Sequence, residues 1–326
     1  MRKKLLVLLV FFMISPSMDK ALSQESKPKL KKVIVGTSSP GLFEFPVTLA
    51  IEKGFYREEG IEPLMVRMSA GTAVQATIAG SVDYNLMPGA SATASLNGAP
   101  LRIVMGILTR PLHVLVVRKE INSFRDLKGK TIGISSFGAT ADVLVRLGAK
   151  HFNMDPSKDF FILQVGGSSA RFAALQNGSI DATPLDTAYL PKAEQMGFKA
   201  VVDFADLFEA PVSAWVTTYR KIMESPGEIK QIIRATVKSV QYFRKNKGEM
   251  ITALASHFKV DDVGGRFLYE ASLKSLTADG RMTEEGTELF VQQSKSVLKT
   301  TKEVSTAQVI DWSIVNQVRK EAGSIK

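Results

Sequence analysis

Apolar residues follow two rhythms in this chain, and the rhythm changes at short runs of Ser, Gly and Pro. The β-branched stretches "VIVGTSSPG" (33–41) and "TIGISSFGA" (131–139) each read as a strand that breaks into a loop, and the segments after them carry helical spacing. The order predicted over the first part of the chain is strand 32–36, helix 45–54, strand 61–67, helix 71–79, strand 84–87, helix 90–97 and strand 101–107. The same order returns as strand 131–134, helix 139–149, strand 160–165, helix 169–177, strand 181–184, helix 187–196 and strand 199–204.

The return is a repeat in register. "AGSVDYN" at 79–85 and "NGSIDAT" at 177–183 lie 98 residues apart, and at that offset "SAGT" (69–72) falls opposite "GSSA" (167–170) and "LRIV" (101–104) opposite "KAVV" (199–202). In both copies the Gly sits where a helix ends, the aliphatic residue turns inward, and the Asp is placed to tie down the turn into the next strand. Alternating βα units of this kind predict two mostly parallel sheets covered by helices, hence two lobes.

Between the copies, "PLHVLVVRKE" (111–120) reads as an extended crossover and "PVSAWVTTY" (211–219) as its return, which predicts a hinge of paired strands. After the return the chain is helical. Ser225, Pro226 and Glu228 have the spacing of a capped helix start, and Ile229, Ile232, Ile233, Thr236, Val237, Val240 and Phe243 make one apolar stripe. Further helices are expected near 247–257, 261–275, 283–298 and 306–321, wrapped around the first lobe.

Hydrophobic residues make up 45% of the 326, enough for an ample core. The first residues differ from the rest: Met1 to Lys4 is basic, Leu5 to Ile14 is unbroken apolar, and small residues follow, as in a secretory signal. Cleavage after Ser23 satisfies the small-x-small rule, with Ser15 and Ser17 offering a second site. Ten apolar residues fall short of the roughly 20 that span a bilayer, so no stable membrane anchor is expected. The formal charge of +10 becomes +7 once residues 1–23 are removed, and the basic residues are scattered except in "KPKLKK" (27–32). Such scatter argues against a nucleic-acid partner. The cysteine count is zero, which excludes disulfides, thiolate metal sites and a lipid-modified Cys.

Ligands of open parallel sheets bind beyond the carboxyl ends of the strands. The loops there are "TSSPGLF" (37–43), "SAGT" (69–72), "MPGA" (87–90), "SSFGAT" (135–140), "GGSS" (166–169) and "PLDT" (184–187). Small hydroxylated residues at helix starts have two readings: they cap the helix, or they leave N–H groups free for a ligand's oxygens. A catalytic reading fits poorly. "GGSSA" has the context of a nucleophile elbow but ends in Ala170, and His257 lies in an ordinary amphipathic segment. His113, His151 and His257 are too dispersed for a metal set, and no cofactor motif stands out, so no cofactor is expected.

The stretches "LAIEKGFYREEGIEP", "GTAVQATIAGSVDYN", "SFRDLKGKTIGISSFGAT" and "ALQNGSIDA" closely resemble the nitrate/sulfonate/taurine-type substrate-binding proteins of ABC importers, over roughly residues 33 to 320. The resemblance implies an α/β, two-lobed type II periplasmic-binding-protein fold joined by a two-strand hinge. It implies residues 1–23 as signal, 24–110 plus 212–326 as lobe I and 111–211 as lobe II. The implied role is a non-catalytic, monomeric periplasmic receptor that captures a small organic molecule or anion (a sulfonate, nitrate, a pyrimidine or another small organic acid) and passes it to a permease and its ATPase; the alternative is an interaction protein that keeps the fold and binds no small molecule. By the same resemblance the pocket is lined by Ser38, Ser39 and Leu42, by Ala70, Gly71 and Thr72, and by Ser136, Gly138, Thr140, Ser168 and Ser169. Pro88, Gly89 and Asp186 are further candidates. Asp186 departs from an anion-binding pattern: it either holds an amine or is a solvated turn residue. Leu42, Phe43, Phe137 and Trp215 would supply apolar contact, Trp215 being equally a core residue. The family also looks like thiamine pyrimidine-precursor synthases, but those depend on a cysteine-rich motif absent from this chain.

Overall fold

The structure is a computed structural model and describes residues 30–38, 41–137, 139–298, 303 and 305–323. The expected signal, Ser39 and Gly138 lie outside these. In chain order the strands are β1 (Lys31–Thr37), β2 (Ile61–Arg67), β3 (Tyr84–Asn85), β4 (Leu101–Leu108), β5 (His113–Val117), β6 (Thr131–Ile134), β7 (Phe161–Gln164), β8 (Ala182–Asp186), β9 (Lys199–Asp203) and β10 (Ser213–Thr218). They form two five-stranded sheets, ordered β2-β1-β3-β10-β4 and β7-β6-β8-β5-β9. The pairs around β1 and β6 are parallel, whereas β10 in the first sheet and β5 in the second run antiparallel to both neighbours.

The 98-residue offset carries β1, β2, β3 and β4 onto β6, β7, β8 and β9, and the remaining strands, β10 and β5, take the same place in the two orders. Each sheet takes its antiparallel strand from the far side of a crossing: β5 follows β4 yet lies between β8 and β9, and β10 follows β9 yet lies between β3 and β4. The stretches 111–120 and 211–219 are therefore mostly sheet strands, and the crossings themselves are shorter. Their apolar runs exist because Val114–Val117 and Ser213–Thr217 are buried inside sheets. The two crossings lie side by side, with the Ala210 N–H donating to Thr109 O at 2.9 Å and the Val212 N–H to Leu108 O at 2.9 Å.

The repeated Gly-Ser-aliphatic-Asp has one physical job in both copies. Gly80 and Gly178 end their helices at φ 78° and 79°, a conformation that costs a side-chain-bearing residue far more. Val82 and Ile180 are buried. The Asp83 carboxylate then accepts the Ile34 N–H at 2.8 Å, and that of Asp181 accepts the Thr131 N–H at 2.9 Å, so each Asp clips its strand to the first strand of its sheet. A cation just past the exchanged strand neutralises each: Lys221 reaches Asp83 at 2.9 Å, and Arg118 reaches Asp181 at 3.4 Å.

Trp215 belongs to the core and not to a ligand site. It is fully buried in the first sheet, edge-on to Tyr56 and Tyr84 at 6.3 and 5.6 Å, and its Nε1–H donates to Thr236 Oγ1 at 2.9 Å. Thr236 lies on the helix Pro226–Lys245, whose expected stripe is the buried face. The expected capping box there does not form: Ser225 makes no side-chain cap. Glu228 instead turns into the protein, where it accepts from Tyr84 at 2.6 Å and pairs with Lys221 at 2.9 Å and Lys31 at 2.5 Å.

The last helices run Lys247–Phe258, Asp262–Ser275, Glu284–Leu298 and Ser313–Gly323. They do not stay with the first sheet alone. Lys274 bonds Asp203 at the end of β9 at 2.7 Å, and the Thr283 N–H donates to Glu209 on the return crossing at 2.7 Å. No helix among the described residues is long and apolar enough to cross a membrane.

Candidate functional site

A cleft of about 760 Å³ opens between the two sheets, beside the crossings. Its walls come from the loops past the strand ends of both sheets, from the crossings at Pro111–His113 and Ala210–Val212, and from one face of the helix Glu284–Leu298. Apolar side chains dominate the lining, with Leu42 and Phe43 from one wall, Val143, Leu144 and Leu147 from another, and Phe290 from the late helix.

Local sequence explains how each wall is held. Past β1, Glu44 is buried, accepts the Thr37 hydroxyl at 3.0 Å and takes both guanidinium arms of Arg67 at 2.5 and 2.8 Å, which pins the Leu42 turn to the end of β2. Past β3, the buried Asn85 accepts the Met87 N–H at 2.9 Å and the Ser91 hydroxyl at 3.1 Å, fixing the start of the helix Pro88–Leu96. Pro88 suits that first turn because it has no N–H to satisfy. Among the described residues no side chain caps this helix or the helix Thr140–His151. Both first turns line the cleft, so backbone donors meet it there.

Of the residues expected at the site, Ser38, Leu42, Ala70, Pro88, Gly89, Thr140 and Asp186 line this space. Gly71, Thr72, Ser136, Ser168 and Ser169 do not. Thr72 is taken up with its helix start, its N–H donating to Ser69 Oγ at 3.2 Å. Ser168 Oγ accepts from Arg171 at 3.2 Å, and the Ser169 hydroxyl shares a 2.9 Å bond with that of Tyr189. Of the apolar candidates, Phe43 lines the cleft with Leu42; Phe137 is exposed and outside it.

Sequence reasoning missed His113, Gln293 and Ser294 as lining residues. His113 opens β5 and stands opposite Asp186 in the antiparallel register with β8. Its Nδ1 is buried and has no hydrogen-bond partner among the described residues; the same is true of Gln293 Nε2. Burial pushes the His113 pKa below its ordinary value, with Asp186 opposing and Arg171 adding to the shift. Asp186 does both things its position allows. One carboxylate oxygen accepts the Ala188 N–H at 2.9 Å, and the residue also lines the cleft. Arg171 is buried behind this wall and gives its donors to Gly166 O, Thr183 Oγ1, Pro184 O and Ser168 Oγ.

Residues 44–250 match the description NMT1/THI5 like. The chain belongs to the NMT1/THI5-like family. Its fold is that of periplasmic binding proteins. A putative periplasmic sulfonate-binding protein, SsuA, of a sulfonate ABC transporter from Methylobacillus flagellatus KT superposes with a TM-score of 0.75 at 17% identity, over 90% of this chain and 96% of that one. The periplasmic nitrate-binding protein NrtA from Synechocystis PCC 6803 superposes with a TM-score of 0.64 at 16% identity, over 90% and 89%. A curated relative, the 4-amino-5-hydroxymethyl-2-methylpyrimidine phosphate synthase of Schizosaccharomyces pombe, is 33% identical over 144 residues, 43% of this chain and 40% of that protein. This NMT1/THI5-like chain thus spans less than half the length of the curated relatives it matches.

Proposed function

We propose that this NMT1/THI5-like protein is the periplasmic solute-binding component of an ABC-type importer. It takes a small organic molecule or anion into the cleft and delivers it to a membrane permease. The observation that carries this reading is the cleft itself: strand-end loops of two sheets related by an internal repeat face one another over about 760 Å³, beside two adjacent crossings. In this reading 1–23 is a cleaved signal, the mature monomer is periplasmic, and lobe I (24–110 plus 212–326) and lobe II (111–211) close about the crossings.

Magnitudes favour closure over dipoles alone. A helix start contributes about 0.3 to 1 kcal/mol toward a bound anion, whereas a micromolar dissociation constant corresponds to about 8 kcal/mol. Enclosure against the apolar walls supplies the difference. The test is a thermal-shift screen of sulfonates, nitrate, pyrimidines, aromatic acids and amino acids, paired with small-angle scattering. A true ligand at 100 times its dissociation constant adds about 2.7 kcal/mol of stability and contracts the scattering profile. Failure of every class on both readouts would sink the receptor reading.

The second reading is an enzyme, favoured by the curated relatives' names. Against it stands the complete lack of cysteine, which removes thiol chemistry from the chain.

A further inference from the structure

Five apolar side chains on the cleft wall are only half-buried: Phe43 and Met87 from loops of the first sheet, Val143 and Leu147 from the helix Thr140–His151, and Val212 from the return crossing. Phe43 and Val212 lean on one hydrophobic core and Leu147 on another, whereas Met87 and Val143 pack against none of the cores among the described residues. Core packing therefore does not account for this surface. Apolar area left open in a concave site marks the place of something that covers it.

Charge on the wall is one-sided. In a chain with 42 Lys and Arg, neither residue type lines the cleft among the described residues, and the one carboxylate there is Asp186. Cations that adjoin the wall in sequence are turned elsewhere: Arg110 donates to Ala205 O at 2.7 Å and pairs with Glu209 at 3.5 Å, and Arg146 bonds Asp142 at 2.9 Å. An anion in the cleft would meet Asp186 with no side-chain cation to offset it. An ion the size of nitrate would also leave most of the 760 Å³ and its half-buried apolar groups uncovered.

Resting on the receptor reading above, we infer that the cleft takes a molecule of mainly apolar surface that carries no negative charge. Its affinity comes from covering Phe43, Met87, Val143, Leu147 and Val212, and the lack of a cation on the wall selects against sulfonate and nitrate.

Calorimetric titration of the full mature chain with nitrate and with straight-chain alcohols, amines and sulfonates from ethyl to octyl separates body from head. Affinity rises about fourfold per added methylene in each series. At every length the sulfonate is the weakest of the three, by about tenfold or more. Val143→Lys puts a cation on the wall and makes the sulfonate the tightest of its length. Val143→Thr keeps the shape of the side chain, and with it the fold, and weakens the longest alcohol about fivefold or more. The inference is overturned if affinity is independent of chain length, if a sulfonate matches the alcohol and amine of its length, or if folded Val143→Lys leaves the order unchanged. Should nitrate or the shortest sulfonate bind tightest while scattering contracts, the receptor reading stands and this assignment of chemistry falls. Failure of the longest alcohols and amines to bind also removes the assignment, and the receptor reading is then judged by the wider screen alone.

Discussion

His113 stands opposite Asp186 in the register of β5 and β8, and both line the cleft. The pairing exists because β5 is the strand the second sheet receives from the first crossing. Crossing and cleft wall are therefore parts of one stretch of chain, since residues 109–112 cross and residue 113 already lines the cleft. In the receptor reading proposed above, a ligand that touches His113 touches the residue next to the crossing, the place where lobe closure is to be absorbed.

Filling the cleft should abolish capture without unfolding the protein. Thr140 is exposed at a helix start in the wall. Thr140→Trp is expected to keep the wild-type melting temperature within the range of ordinary surface changes, about 0.5 kcal/mol, while removing ligand-induced thermal shifts. Retained shifts would place the ligand elsewhere.

The repeated aspartates should be worth similar amounts. Asp83→Ala or Asp181→Ala leaves a strand N–H without its acceptor, and each is expected to cost about 1 to 3 kcal/mol in urea unfolding. The two sites lie in different sheets, so the double variant should be additive. A change near zero at either would mean water replaces the clip.

Removing Trp215 should damage stability and not recognition. Trp215→Ala is expected to cost about 3 to 5 kcal/mol through the cavity against Tyr56 and Tyr84 and the loss of the Thr236 acceptor's partner. Ligand affinity of the folded fraction, measured by titration at low temperature, should stay as in the wild type.

Acid should loosen the first sheet through Glu228. Burial opposes its charge, but Lys31, Tyr84 and Lys221 together hold its pKa below the usual carboxylate value. A depressed folded pKa contributes stability above the unfolded value and loses it as pH falls through the folded one. Melting temperature should therefore decline below about pH 4.5, and Glu228→Gln should be less stable at pH 7 with a flatter acid limb. An unchanged acid limb in the variant would assign the decline to other carboxylates.

The sheets were legible because strands buried on both faces and helices stopped by Gly leave local marks. Boundaries such as 61–67 and 131–134 follow from runs of a few residues. What the chain did not disclose is long-range pairing. Nothing local in "PLHVLVV" says that it joins the second sheet, so His113 passed as part of a connector. Gln293 sits on a helix whose periodicity reports packing, and no local signal marks the turn facing the cleft. Hydroxyls at helix starts were half informative: Ser38 and Thr140 reach the space, whereas Thr72, Ser168 and Ser169 are occupied by nearby partners. Glu228 misled for the same reason, since a half-buried lysine and a buried tyrosine outbid the helix start.

Native mass spectrometry of the protein isolated without denaturation tests receptor function most directly. The account predicts a wild-type species carrying one small molecule, removed by refolding, restored from a periplasmic extract, and absent in Thr140→Trp. A bare mass for the wild type before and after exposure to that extract, or an equal adduct on Thr140→Trp, would contradict it.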